Sequence, residues 1–120
     1  MLNPNSVIQG ARARLGDPIQ LDLGGLGVRD IAFFGGSYLI IAGSYHGGGK
    51  FRLYRWAGPG HEPERLKTDS LAGYSPEAIV FYPQKGWNAV QILSDDGKRM
   101  GEGILGEKRT FRSFWVSPAR

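Results

Sequence analysis

Two carboxylates, Asp30 and Glu77, are the side chains whose positions in this sequence most favour chemistry. Each directly precedes an apolar run, residues 31–34 for the first and residues 78–82 for the second. The apolar pattern returns after about forty-eight positions, so the two carboxylates are expected at the same place in two similar segments. If the fold brings such copies together, their oxygens suit a hard cation such as Ca²⁺. Asp30 and Glu77 are therefore the candidate ligands of a metal site, with Ca²⁺ as the candidate ion.

A structural role for the same two carboxylates is the other interpretation, and the one that we favour. Each would accept hydrogen bonds from backbone N–H groups of the adjoining turn, with Arg29 nearby as a counter-ion. No general base of suitable type accompanies the pair, and no catalytic signature stands elsewhere in the chain. We therefore predict no catalytic residue, and we expect a binding or structural role in preference to an enzyme.

Other motifs lack the partners that their chemistry needs. Residues 101–106, GEGILG, match the GxGxxG pattern of nucleotide-binding loops, but an aromatic, strand-like segment follows where a helix is required. Residues 46–49, HGGG, are similar to the oxyanion loop of some esterases, but the chain has no GxSxG nucleophile motif. The two histidines, His46 and His61, are too few for a zinc site. We expect plain loops or turns at these positions, and another turn at residues 95–97.

Composition limits the class of protein. A chain of 120 residues is one domain or part of one. Its 19 glycines and 7 prolines leave no uninterrupted window for an ordinary helix, which predicts an all-β fold. The absence of cysteine excludes disulfides and thiolate metal sites. No apolar run reaches the length of a signal peptide or a membrane span, so a cytoplasmic location without a membrane partner is expected by default.

Positive charge is concentrated at the end of the sequence. The formal net charge is +4, and the excess of Lys and Arg lies after Asp96. A solvated, charged sheet edge that resists aggregation explains this excess. A phosphate-binding face is the alternative, but nucleic acid is not the partner that we expect.

The first predicted unit, residues 28–69, contains four strands of falling hydrophobicity. Its centre is a hairpin of two continuous apolar runs, residues 31–34 and 38–42, separated by a Gly-Gly-Ser turn. Such runs favour strands covered on both faces. Residues 51–56, FRLYRW, predict a third strand nearer the surface, and residues 65–69 a short, polar edge strand.

The second predicted unit, residues 75–117, follows the same order. Residues 78–82 and 89–93 match the two apolar strands of the first unit, and residues 111–118 match its aromatic third strand. A fourth strand is missing from this unit. Residues 19–23, IQLDL, alternate strictly between apolar and polar side chains and are predicted to supply it.

A repeated unit of four short antiparallel strands is typical of a β-propeller blade. The predicted fold is therefore an N-terminal leader, residues 1–17, followed by two four-stranded antiparallel blades in residues 18–120. Trp56 and Trp115 should occupy equivalent positions on the third strands. Because propellers need about four to eight blades, the chain is either a fragment of a longer propeller or a protomer of a homo-oligomer. A trimer with six blades is the simplest ring. A two-sheet sandwich is the alternative.

Three segments of the sequence resemble a bacterial family, domain of unknown function 3616. They are LDLGGLGVRDIAFFGGSYLIIAGS, FRLYRW and SPEAIVFYP, and the resemblance covers residues 19–96, matching the C-terminal part of the family. It implies a β-propeller fold, of which this chain would supply two blades, but no biochemical activity. Pro76-Glu77 is also similar to the pair that begins the inner strand of metal-dependent propeller hydrolases. That likeness implies a metal-dependent lactonase or phosphoesterase as the alternative function.

Overall fold

The computed structural model describes residues 1–45, 49–68, 71–96 and 111–118. Within these ranges it contains one short helix, one 3₁₀ helix and seven strands. They are α1 (Pro4–Ile8), β1 (Gly27–Phe34), β2 (Ser37–Gly43), β3 (Phe51–Trp56), β4 (Glu64–Arg65), β5 (Pro76–Val80), the 3₁₀ helix Gly86–Asn88, β6 (Val90–Ser94) and β7 (Arg112–Val116). Neither helix in the described ranges has the length and apolar character to cross a membrane.

The strands form two antiparallel sheets, which confirms the predicted all-β character. The first sheet has the order β1-β2-β3-β4 and the second, as far as the described residues show it, the order β5-β6-β7. The β1–β2 hairpin turns at Gly35 and Gly36, whose φ angles are 58° and 82°. Two successive positive φ angles favour glycine, so the Gly-Gly pair fixes this turn.

A β-bulge interrupts the first strand of each sheet. In the cross-strand pairing, β1 skips Arg29 and β5 skips Glu77. Arg29 therefore corresponds to Glu77, while Asp30 corresponds to Ala78. The prediction that Asp30 and Glu77 stand at the same place in the two sheets is wrong by one residue, because the apolar run of the second unit begins one residue earlier, at Ala78, which is the counterpart of Asp30.

The third strands show a similar one-residue correction. Following the pairing outward from the bulges aligns Trp56 of β3 with Val116 of β7, and Arg55 with Trp115. Trp56 is 6% exposed and Trp115 is 50% exposed. The predicted equivalence of the two tryptophans is therefore wrong, and they lie on opposite faces of their sheets since side chains alternate along a strand.

The main core lies between the two sheets. From the first sheet it takes alternate residues of β2 and β3, and from the second sheet alternate residues of β6 and β7. Its buried members are Leu39, Ile41, Phe51, Leu53, Leu71, Val90, Ile92 and Val116. The intervening residues of β2 are buried on the other face, so β2 is covered on both faces as its apolar run predicts.

The segment before β1 covers the opposite face of the first sheet. Leu23, which is 3% exposed, packs there with Ile40 and Trp56, and Leu21 and Leu26 lie beside it. No strand forms at residues 19–23, and the prediction that they complete the second sheet is wrong. Their alternation of apolar and polar side chains reflects the packing of the leucines on the first sheet, and residues 19–23 pair with no strand.

One face of β1 is open to solvent. Val28, Ile31 and Phe33 are 49%, 43% and 61% exposed. We call these three side chains the β1 stripe. The prediction that β1 is covered on both faces is therefore wrong, although its partner β2 is fully covered.

Replacing Leu23 with Ala tests the packing of the N-terminal segment on the first sheet. Because Leu23 is buried, we expect a loss of about 2–5 kcal/mol in the free energy of unfolding. The control is Ile19→Ala, at a side chain that is 56% exposed and should change stability by less than about 0.5 kcal/mol. Urea unfolding measures both, and equal losses would contradict the packing described here.

Candidate functional site

Asp30 joins the two sheets through backbone hydrogen bonds. Its Oδ1 accepts the N–H of Ile31 in β1 at 2.8 Å, and its Oδ2 accepts the N–H of Ile79 in β5 at 2.7 Å. The bulge at Arg29 redirects the following side chain, which is a common effect of bulges. Both carboxylate oxygens are thus engaged by N–H donors, one from each sheet.

Glu77 pairs with Arg29, its counterpart at the bulge of the other sheet. The Nη2 group of Arg29 donates to Oε1 of Glu77, and the two side chains are 30% and 35% exposed. An ion pair this open to solvent contributes about 1 kcal/mol or less. Arg29 is therefore the counter-ion of Glu77 only, while the carboxylate of Asp30 is held by backbone N–H groups.

Aromatic side chains join the two sheets at the end of β1. The ring of Phe34 stacks on that of Phe81 with centroids 4.9 Å apart, and Trp87 Nε1 donates to the carbonyl of Phe34 at 3.0 Å. The guanidinium carbon of Arg55 lies 4.7 Å from the Trp87 ring centroid. The first strands of the two sheets are therefore joined at two places along β1, at Asp30 near its middle and at Phe34, its last residue.

The contacts around Asp30 bear directly on the predicted calcium site. Ca²⁺ takes about 6–8 oxygen ligands. In the described parts of the chain, no three His, Cys, Asp or Glu residues form a group able to hold a metal ion. The Asp30 oxygens accept N–H donors, and Glu77 is paired with Arg29. These contacts favour the structural interpretation, and the calcium site at Asp30 and Glu77 stays a prediction.

The remaining sequence motifs fall in different places. His46 and residues 101–106 lie outside the described residues. His61 is exposed in a turn, where its carbonyl accepts Trp56 Nε1 at 2.8 Å and its N–H donates to the carbonyl of Gly58 at 3.1 Å. The turn expected at His61 is therefore present.

Asp96, expected only in a turn, forms a tight ion pair with Arg112. Its Oδ2 accepts Nε and the backbone N–H of Arg112 at 2.8 and 2.9 Å, and its Oδ1 accepts Nη2 at 2.8 Å. Hydrogen bonds from the Arg112 guanidinium hold the pKa of the Asp96 carboxyl well below its usual range. Cross-strand pairing of Ser94 with Arg112 brings the two together. Sequence reasoning missed the pair because its members are far apart in the chain.

Asp30 and Glu77 should differ in how much each carboxylate stabilises the folded protein. Asp30→Asn replaces an oxygen acceptor with an amide that cannot accept both N–H groups, so we expect a loss of about 1–3 kcal/mol in unfolding free energy. Glu77→Gln removes only an exposed ion pair and should cost less than about 1 kcal/mol. Urea unfolding of both variants is the measurement, and a larger loss in Glu77→Gln would contradict these roles.

Titration of Ca²⁺ into chelator-treated protein tests the metal interpretation. Because both Asp30 oxygens accept N–H donors, we expect no micromolar binding in calorimetry. Micromolar binding that disappears in the double variant Asp30→Asn, Glu77→Gln would instead establish the calcium site.

The Asp96–Arg112 pair should make stability depend on acid. A carboxyl whose pKa is lower in the folded state contributes its stability fully above the unfolded pKa of about 3.9, and this contribution declines as the pH falls further. Asp96→Asn should therefore be less stable than the wild type near neutral pH, and the gap should narrow below about pH 4. Thermal unfolding across pH measures it, and a constant gap would contradict the pair's role.

Comparison with known proteins gives a family match. Residues 12–77, more than half of the chain, match a family described as Protein of unknown function (DUF3616). The match includes the segment that packs on the first sheet, β1 to β4 and both bulges. No curated protein and no solved structure matches the chain significantly. The chain therefore belongs to the DUF3616 family of proteins of unknown function.

Proposed function

We propose that this chain is a two-blade unit of a β-propeller and acts as a binding or structural module. The observation that carries the proposal is how the sheets stack. The first sheet uses the face of Leu39 and Ile41, whereas the second uses the face of Val90 and Ile92. By cross-strand pairing, Ile92 corresponds to Ile40, which lies on the far face of the first sheet. The sheets therefore stack head to tail.

Head-to-tail stacking leaves a free face at each end. Ile79 and Phe81 of the second sheet pack against the first sheet. Their counterparts in the first sheet are Ile31 and Phe33, two members of the β1 stripe, which are exposed. The stripe is thus the surface that a preceding sheet would cover. In a paired sandwich, the alternative, the two sheets would present corresponding faces to each other, whereas here the faces in contact do not correspond.

We assign a second copy of this chain as the partner of the β1 stripe. A heterologous contact continues from copy to copy until it closes a ring, and three copies give six blades. The free face of the second sheet offers Trp115, 50% exposed, with the Tyr82 ring 5.5 Å away. Nothing among the described contacts favours the metal-dependent hydrolase, since Asp30 and Glu77 are engaged within the protein.

Sedimentation of the wild type and a stripe variant tests this assembly. We expect a homo-oligomer at micromolar concentration, and Phe33→Glu should dissociate it because a carboxylate would be buried at the contact. The control is Ile8→Glu, at an apolar side chain that is 85% exposed but lies outside the stripe. It should leave the oligomer intact. A folded wild-type monomer at that concentration would contradict the proposed ring.

A further inference from the structure

An open cavity of about 1200 Å³ lies away from the contacts of Asp30 and Phe34 that join the two sheets. The start of β3 and the end of β4 line one side, and residues 71–75 of the connection to β5 continue the wall. Arg112 of β7 completes it from the second sheet. Small-molecule sites typically measure roughly 300–1,000 Å³, so this cavity has room for a small organic ligand.

The described residues that line this cavity are strongly basic. Five of them are cationic, namely Lys50, Arg52, Arg65, Lys67 and Arg112, and none is Asp or Glu. Only Arg112 of these five has a carboxylate partner among the described ion pairs, which are Arg29–Glu77 and Asp96–Arg112. A concave surface lined by charges of one sign concentrates the electric field and attracts counter-ions. The cavity is therefore complementary to an anion.

The rest of the wall is apolar and aromatic. Phe51 and Leu71, each 8% exposed, connect the cavity to the main core. The Tyr74 ring lies 4.3 Å from that of Phe114, measured between centroids, and the guanidinium carbon of Arg112 lies 4.5 Å from the Tyr74 centroid. Arg112 is further fixed by Nη2 donating to the carbonyl of Gly73 at 2.7 Å. Tyr74 and Arg112 thus form an aromatic and cationic wall beside the exposed basic side chains of the cavity.

We propose that this cavity binds a small phosphate ester that carries a ring. Arg and Lys form charge-assisted hydrogen bonds with phosphate oxygens, and Arg matches their geometry with two parallel N–H groups. The aromatic wall at Tyr74 suits a planar or apolar body next to that phosphate. The inference is independent of the propeller assembly, because all the lining groups belong to one chain.

Calorimetric titration with phenyl phosphate tests the cavity. Arg65 and Lys67 are exposed, so the double variant Arg65→Gln, Lys67→Gln should keep the wild-type circular dichroism while it binds at least about tenfold more weakly. The matched control is Arg12→Gln, Arg14→Gln, which removes the same charge from exposed positions outside the cavity. It should change the affinity by less than about twofold. If the first variant loses its fold, Lys50→Gln, Lys67→Gln replaces it.

Two further ligands separate the possible sources of binding. Inorganic phosphate should bind more weakly than phenyl phosphate, and equal affinity would overturn the ring-bearing ligand. A single-stranded oligonucleotide tests for a non-specific basic surface. If it binds the wild type more tightly than phenyl phosphate does, and both double variants lose the same share of that affinity, the surface is non-specific and the proposal is overturned. Absence of phenyl phosphate binding to the wild type would also overturn it.

Discussion

The arrangement of the two sheets depends on the carboxylate of Asp30. β1 and β5 are both edge strands, and an edge strand presents backbone N–H groups that its own sheet does not pair. Asp30 accepts one such group from each strand, those of Ile31 and Ile79. A single side chain thus satisfies N–H donors on two sheets and fixes where β1 and β5 meet. The bulge at Arg29 is what places that side chain between them.

Apolar runs were enough to predict the strands but not their register. The β1–β2 hairpin, the third strand at residues 51–56 and its match at residues 111–118 all follow from apolar and aromatic patterns. The correspondence of Asp30 with Glu77 failed because Ala78 extends the apolar run of the second unit by one residue, although its counterpart in β1 is the polar Asp30. A shift of one residue moves a side chain to the other face of a sheet.

Patterns of charge and alternation were informative only about local surroundings. Alternation in residues 19–23 predicted one buried side, and Leu23 is buried, but the pattern could not specify which sheet covers it. The count of charges placed the basic excess after Asp96. Of the five cations around the cavity, only Arg112 comes from that part of the chain. The others gather through folding of separate segments, which a linear count cannot show.

In the stack of sheets that we propose, the leucines before β1 would lie on a face that the next sheet needs. Leu23 covers part of that face over Ile40 and Trp56. The cover stops short of the inner edge, where Ile31 and Phe33 stay exposed. A neighbouring sheet in that stack would therefore either pack beside these leucines or displace them. The leucines would thus limit the area of the first sheet that such a neighbour can bury.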